Sequence, residues 1–143
     1  MMPKLKDLMT KDVVTVDAGT TVFDVAQLMN DKGVGCVVVM EGQMPRGIVT
    51  ERDFVRRIIA KRRPFDTKLS AVMSKPLITI DHDASFKEAA RMMINHRIRR
   101  LPVFEGNRMV GIIAASDFVR HLSKKTITEE ILHAIARSPL TPV

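Results

Sequence analysis

Gly47-Ile48-Val49-Thr50-Glu51-Arg52-Asp53-Phe54-Val55-Arg56 returns further along the chain as Gly111-Ile112-Ile113-Ala114-Ala115-Ser116-Asp117-Phe118-Val119-Arg120. In each copy a glycine leads into a β-branched run, the pattern of a short buried strand. A polar break follows, then an apolar pattern at helical spacing. Asp53 and Asp117 fall in the first turn of that helix, where a negative charge suits the helix dipole. The rest of the sequence reads as scaffold around two strand-to-helix corners.

Outward from the corners the likeness continues. A shift of about 64 positions superposes the chain on itself without a gap. Leu5 falls on Leu69, Met9 on Met73, Thr15 on Thr79, Met29 on Met93 and Glu41-Gly42 on Glu105-Gly106. The match covers Leu5–Ile58 and Leu69–Leu122, and two such small halves are expected to bury their cores against each other.

Each half predicts the same order of elements. Val13–Val16 reads as a strand ended by Asp17-Ala18-Gly19. Thr21-Val22-Phe23-Asp24 is a capping box that opens a helix, and Ser85-Phe86-Lys87-Glu88 is its counterpart. The helices carry apolar faces at Val22, Val25, Ala26 and Met29, and at Phe86, Ala89, Ala90 and Met93. Val37–Met40 lacks alternation and so predicts a strand covered on both faces. Glu41-Gly42-Gln43 is a turn, Gly47–Val49 the returning strand, and a second helix runs from Thr50 through Phe54, Ile58 and Ile59. The order is β-α-β-β-α, with the first two strands parallel and the last two a hairpin.

Lys61-Arg62-Arg63-Pro64-Phe65-Asp66 is a short polar tether, with Pro64 stopping the helix before it. Beyond the second repeat, Thr126-Ile127-Thr128-Glu129 is another capping box. Ile127, Ile131, Leu132 and Ile135 form one apolar stripe, which either packs on its own domain or makes a subunit contact.

Composition sets outer bounds. With 143 residues, 45% of them apolar, the chain can bury a real core and does not read as disordered. No apolar run is long enough to span a bilayer, and the first residues have no secretory h-region. The one cysteine, Cys36, lies in an apolar run and fits a buried position in a reducing cytoplasm. A formal charge of +7 favours anionic partners. No nucleophile context or P-loop is present, so the sequence does not read as an enzyme. His82, His96, His121 and His133 lack metal spacing, and the methionines fall mostly at helix-core positions.

Two tandem β-α-β-β-α units, each closing on Gly-apolar-apolar-x-x-x-Asp-Phe, resemble the CBS domain family in its paired form, the CBS pair or Bateman module. The resemblance implies an α/β (α+β) fold of CBS repeats over 5–60 and 69–123, packed sheet to sheet about a pseudo-twofold, with a C-terminal helix over 126–137. It implies clefts for an adenosine ligand, AMP, ADP, ATP or S-adenosylmethionine, with no resident cofactor or metal. The motif carboxylate takes the ribose hydroxyls, and a Thr or Ser three residues earlier helps hold phosphate. Carried over, Thr50 and Asp53 fill the first motif. Asp117 fills the second, where Ala114 replaces the hydroxyl and Ser116 is only nearby. Thr15, Val16, Thr79 and Ile80, on the leading strands, belong to the implied ligand set. Arg99-Arg100 resemble the basic pair aimed at phosphate, where the first repeat has Gly35-Cys36. The cleft pairing Thr50 and Asp53 with Arg99 and Arg100 is therefore expected to be the phosphate site. The implied protein is a stand-alone regulatory homodimer that signals to an effector protein.

The residues also admit plainer readings. Thr50-x-x-Asp53 is itself a capping box, worth about 1 kcal/mol; Ala114 cannot play the same part, yet Asp117 is retained. Arg56-Arg57 and Arg99-Arg100 can be solvated charge. The basic clusters also allow a nucleic-acid-binding protein on the same scaffold. Against that stand the absence of a recognition motif and of any Tyr or Trp for base stacking.

Overall fold

The computed structural model describes residues 3–126, with 122–126 as backbone only, and Ala136. In chain order its elements are α1 (Leu5–Leu8), β1 (Thr15–Asp17), α2 (Val22–Lys32), β2 (Cys36–Glu41), β3 (Met44–Thr50), α3 (Glu51–Asp53), a π-helix (Phe54–Ile59) and a 3-10 turn (Leu69–Ala71). Then follow β4 (Ile80–Asp81), α4 (Phe86–His96), β5 (Arg100–Glu105), β6 (Arg108–Ala114) and α5 (Ala115–Thr126). The tail stripe Ile127, Ile131, Leu132 and Ile135 lies outside the described residues, as does the helix expected over 126–137 save Thr126 and Ala136.

The chain forms two compact units. One is Asp12–Ile78; the other joins the described residues from Thr79 onward to those before Asp12. The opening segment of each sequence repeat thus belongs to the unit built around the other repeat.

In the Asp12–Ile78 unit the sheet order is β1-β2-β3. β1 runs parallel to β2, with Thr15 opposite Val38, and β2 pairs antiparallel with β3, with Val38 opposite Ile48. Val37, Val38 and Val39 are all fully buried, as expected of a strand covered on both faces. α2 starts where the Thr21 hydroxyl accepts the Asp24 N–H at 3.2 Å, and stops at Gly33 in the left-handed conformation, φ 65°. Its buried face, Val22, Val25 and Met29, packs with Val37, Val39, Val49, Ile58 and Leu69. Each such fully buried aliphatic contributes about 1.5–3 kcal/mol. The tether is held down: Phe65 stacks on Phe23 with centroids 6.2 Å apart, and its carbonyl accepts the Phe23 N–H.

The second unit repeats the sheet as β4-β5-β6, with Ile80 opposite Val103 and Pro102 opposite Ile112. α4 carries the full capping box between Ser85 and Glu88 and buries Phe86, Ala89 and Met93. The second helices differ between units. α5 is an α-helix, whereas the helix after Asp53 widens into a six-residue π-helix. There Ala60 N–H reaches Val55 O at 2.9 Å and Arg63 N–H reaches Ile58 O at 3.0 Å. An apolar pattern this short does not separate α from π winding. Cys36, at the start of β2, is only partly buried.

The crossing segments dock at the motif glycines. Ile48 and Ser74 exchange backbone hydrogen bonds of 3.1 and 2.9 Å, and Thr10 and Ile112 exchange two of 2.9 Å. Met73 and Met9 lie over Gly47 and Gly111, rather than in a helix core. A Cβ on Gly47 would meet Met73 Sδ and Ser74 O at 2.8 Å; on Gly111 it would meet Met9 Sδ at 2.6 Å and Thr10 O at 2.8 Å. Methionine can bend away, but the carbonyls cannot without breaking the bridge. Gly47→Ala and Gly111→Ala should each cost about 1–3 kcal/mol. Thermal denaturation should register this as a Tm lowered by several degrees.

Candidate functional site

Both motif carboxylates are buried, Asp53 at 9% and Asp117 at 3% exposure. They sit where a strand ends and a helix begins, so the local backbone sets their orientation. Asp53 Oδ2 accepts the Thr50 N–H at 2.9 Å and faces the Thr50 hydroxyl at 3.3 Å. Asp117 Oδ2 accepts the Ala114 N–H at 2.7 Å. The return arm of a capping box is therefore built in both copies, and the second needs no hydroxyl. The remaining oxygen meets an arginine of the same helical stretch. Arg57 Nε lies 3.4 Å from Asp53 Oδ1, and Arg120 Nη2 bonds Asp117 Oδ1. These two arginines were not singled out by the motif; helical spacing of i+4 and i+3 from each aspartate is the signal that finds them.

A carboxylate of this kind has a fixed position, a dry setting and lone pairs left over. An ionised carboxylate offers about four acceptor positions, so three partners at Asp53 and two at Asp117 do not exhaust it. A vicinal diol could add its two O–H donors or displace the arginine. Asp53 is the more accessible of the two.

The other expected residues are only partly brought together. Thr50 stands at the Asp53 corner, as expected. Thr15 and Val16 are on β1, separated from β3 by the whole of β2, and Thr15 is exposed while Val16 packs against the core. Ile80 is a buried core residue of β4 and Thr79 precedes it, half-buried. Ser116 is exposed at the start of α5. Arg99 and Arg100 lie beside the Asp117 corner: Arg100 pairs with Ala114, and Arg99 O accepts the Ala115 N–H at 2.8 Å. At the equivalent place in the first repeat, Cys36 pairs with Thr50 and Gly35 O accepts the Glu51 N–H.

The histidines include one that the fold gathers. Asp81, His82 and Asp83 bring ligand-type atoms within 4.8 Å of one another. Asp81 Oδ2, however, is engaged by the Asp83 N–H at 2.9 Å, and both carboxylates are exposed, which is the geometry of a self-closing Asx turn. Among the described residues no helix is long and apolar enough to cross a membrane.

Two sheets of three strands in β-α-β-β-α order, each ending on a buried aspartate at a helix start, define the class: a tandem CBS pair, a regulatory module. The chain belongs to the CBS domain family, which matches residues 5–60 and again 69–124. It is 38% identical over 116 residues to the CBS domain-containing protein YhcV of Bacillus subtilis, covering 81% of this chain and 83% of that one. Among solved structures it is similar to the hexameric CBS-CP12 protein of bloom-forming cyanobacteria, 34% identical, with a TM-score of 0.77 over 83% of this chain and 67% of that one. It also shares the fold, at 21% identity and a TM-score of 0.79 over 88% of this chain and 100% of the other, with a CBS domain pair solved with 5′-methylthioadenosine and S-adenosyl-L-methionine.

Asp117→Ala should remove a charge-assisted bond to the Ala114 N–H and leave that group partly buried. The expected cost is about 1.5–3 kcal/mol, measured by urea denaturation. A cost as small as that of an exposed-surface substitution would mean that the carboxylate does not hold the corner.

Proposed function

We propose that this CBS pair binds an adenosine ligand, of the AMP, ADP, ATP or S-adenosylmethionine class, and passes its level to a partner protein in the cytoplasm. The observation that carries this reading is the pair of buried, pre-oriented carboxylates, each with acceptor capacity left for a ribose diol. Asp53 is the preferred ribose acceptor, because it is the more accessible and has the Thr50 hydroxyl beside it. Arg99 and Arg100 are the proposed phosphate-binding cations, for which a guanidinium fork is suited. The protein would act as a homodimer, and the partner would read the change in its ligand-bound state.

A thermal-shift panel of AMP, ADP, ATP and S-adenosylmethionine tests the ligand class. A true ligand at 100-fold its Kd adds about 2.7 kcal/mol, or several degrees. A flat response across the panel at millimolar concentration would sink the reading.

Calorimetry then tests the residues. Asp53→Asn keeps the shape and should weaken AMP at least about tenfold, since bonds to a charged group are worth roughly 1.5–3 kcal/mol. Arg100→Ala should weaken AMP more than adenosine, which has no phosphate. Asp117→Asn should matter less. The reverse order would give the phosphate end to the Asp117 corner, beside which β5 carries Arg99 and Arg100. Light scattering at micromolar concentration should give a dimer mass; a monomer would count against the assembly.

A further inference from the structure

Three cations of the Asp12–Ile78 unit converge on one open groove of about 430 Å³, lined by Arg57, Lys61, Arg63, Ala71 and Val72. Arg57 projects from the π-helix. Its Nη1 donates to the Val72 carbonyl at 3.0 Å while its Nε faces Asp53 at 3.4 Å, so the guanidinium is held from two sides. Lys61 and Arg63 follow around a bend in which Arg62 takes the left-handed conformation, φ 53°. Neither Lys61 nor Arg63 has a side-chain hydrogen bond or ion pair with any described residue. Two cations without a partner among the described residues, beside a third, pre-oriented one, make a local positive field that favours an anion.

We propose that this groove is a binding site for a compact di- or polyphosphate, and that its occupancy is coupled to the Asp53 corner through Arg57. The groove has the volume of a small-molecule site. Its walls are aliphatic and basic, with no aromatic ring on which a base could stack, so it suits the phosphate portion of a ligand. The guanidinium plane and the Lys61 ammonium together match several phosphate oxygens. The coupling follows from Arg57 being shared. An anion in the groove draws the guanidinium away from Asp53 and leaves Oδ1 with one acceptor position more. Conversely, a diol on Asp53 releases Arg57 toward the groove, and such coupling is reciprocal. The coupling rests on Asp53 as ribose acceptor; the anion site itself does not.

The test is calorimetry of the full chain with sodium pyrophosphate at constant ionic strength, with sulfate as control anion. One saturable event is expected. The double variant Lys61→Ala/Arg63→Ala alters only exposed side chains and should weaken it at least about tenfold. Arg46→Ala, which removes a surface cation of the β2–β3 hairpin, should leave it unchanged. Asp53→Asn should strengthen it about threefold or more, because Arg57 loses its competing carboxylate. ATP competing one for one with pyrophosphate would assign the groove to a nucleotide's phosphate tail. Independent binding of both would assign it to free pyrophosphate. Equal heats from sulfate, equal loss in Arg46→Ala, or no loss in the double variant would overturn the site. An unchanged affinity in Asp53→Asn would overturn the coupling. A single-stranded oligonucleotide that binds more tightly than pyrophosphate, with a steeper salt dependence, would overturn the small-anion assignment. Pyrophosphate has no ribose, so its binding can fail or succeed independently of the adenosine panel.

Discussion

A buried carboxylate that accepts a backbone N–H three residues earlier holds each corner together. Asp53 on Thr50 N–H and Asp117 on Ala114 N–H fasten the end of a strand to the start of a helix. Burying a carboxylate is costly unless its oxygens are matched, and here both are matched by the amide and by an arginine of the same helical stretch, Asp53 by the Thr50 hydroxyl as well. The same bonds that make the corner stable also fix the acceptor that a ligand would meet. Structural and functional readings of these aspartates are therefore not rivals, because a cap that is half-committed to its own backbone is also a pre-oriented acceptor.

The second constraint is close approach of backbones. At Gly47 and Gly111 a neighbouring segment comes near enough to exchange two hydrogen bonds with the strand, and methionine lies over the space a side chain would fill. The docked segment is in each case the opening of a sequence repeat, carried into the unit built around the other repeat. Each unit is thus completed by the opening of the other repeat. Leu5 and Leu69, both fully buried, mark how deeply these segments are taken in.

Departures from the repeat are where the two halves acquire different chemistry. Thr50 against Ala114 changes the polarity of one corner, and Arg99-Arg100 against Gly35-Cys36 changes the charge beside it. The π-helix after Asp53 adds a third difference. Its wider turn carries Arg57 between the Asp53 carboxylate and the Val72 carbonyl, and it ends in the basic bend of Lys61–Arg63. π turns recur at functional sites in proteins generally. Here one belongs to the half with the more accessible carboxylate.

The repeat, the order β-α-β-β-α, the hairpins, the helix caps and the identity of the two corner aspartates were all determined by the sequence, because they depend on local periodicity and on residues a few positions apart. Val37–Val39 read as doubly covered, and they are. The partners of Met9 and Met73 were not legible, because a local pattern does not say which distant strand a segment will bridge. The π winding of Phe54–Ile59 was hidden for another reason: six residues are too few to separate one helical period from another. Arg57 illustrates the limit most sharply. In sequence it is one of several surface cations. Only the fold brings Val72 close enough to hold its guanidinium beside Asp53, because Val72 lies 15 residues further on and is positioned by the docking of the crossing segment.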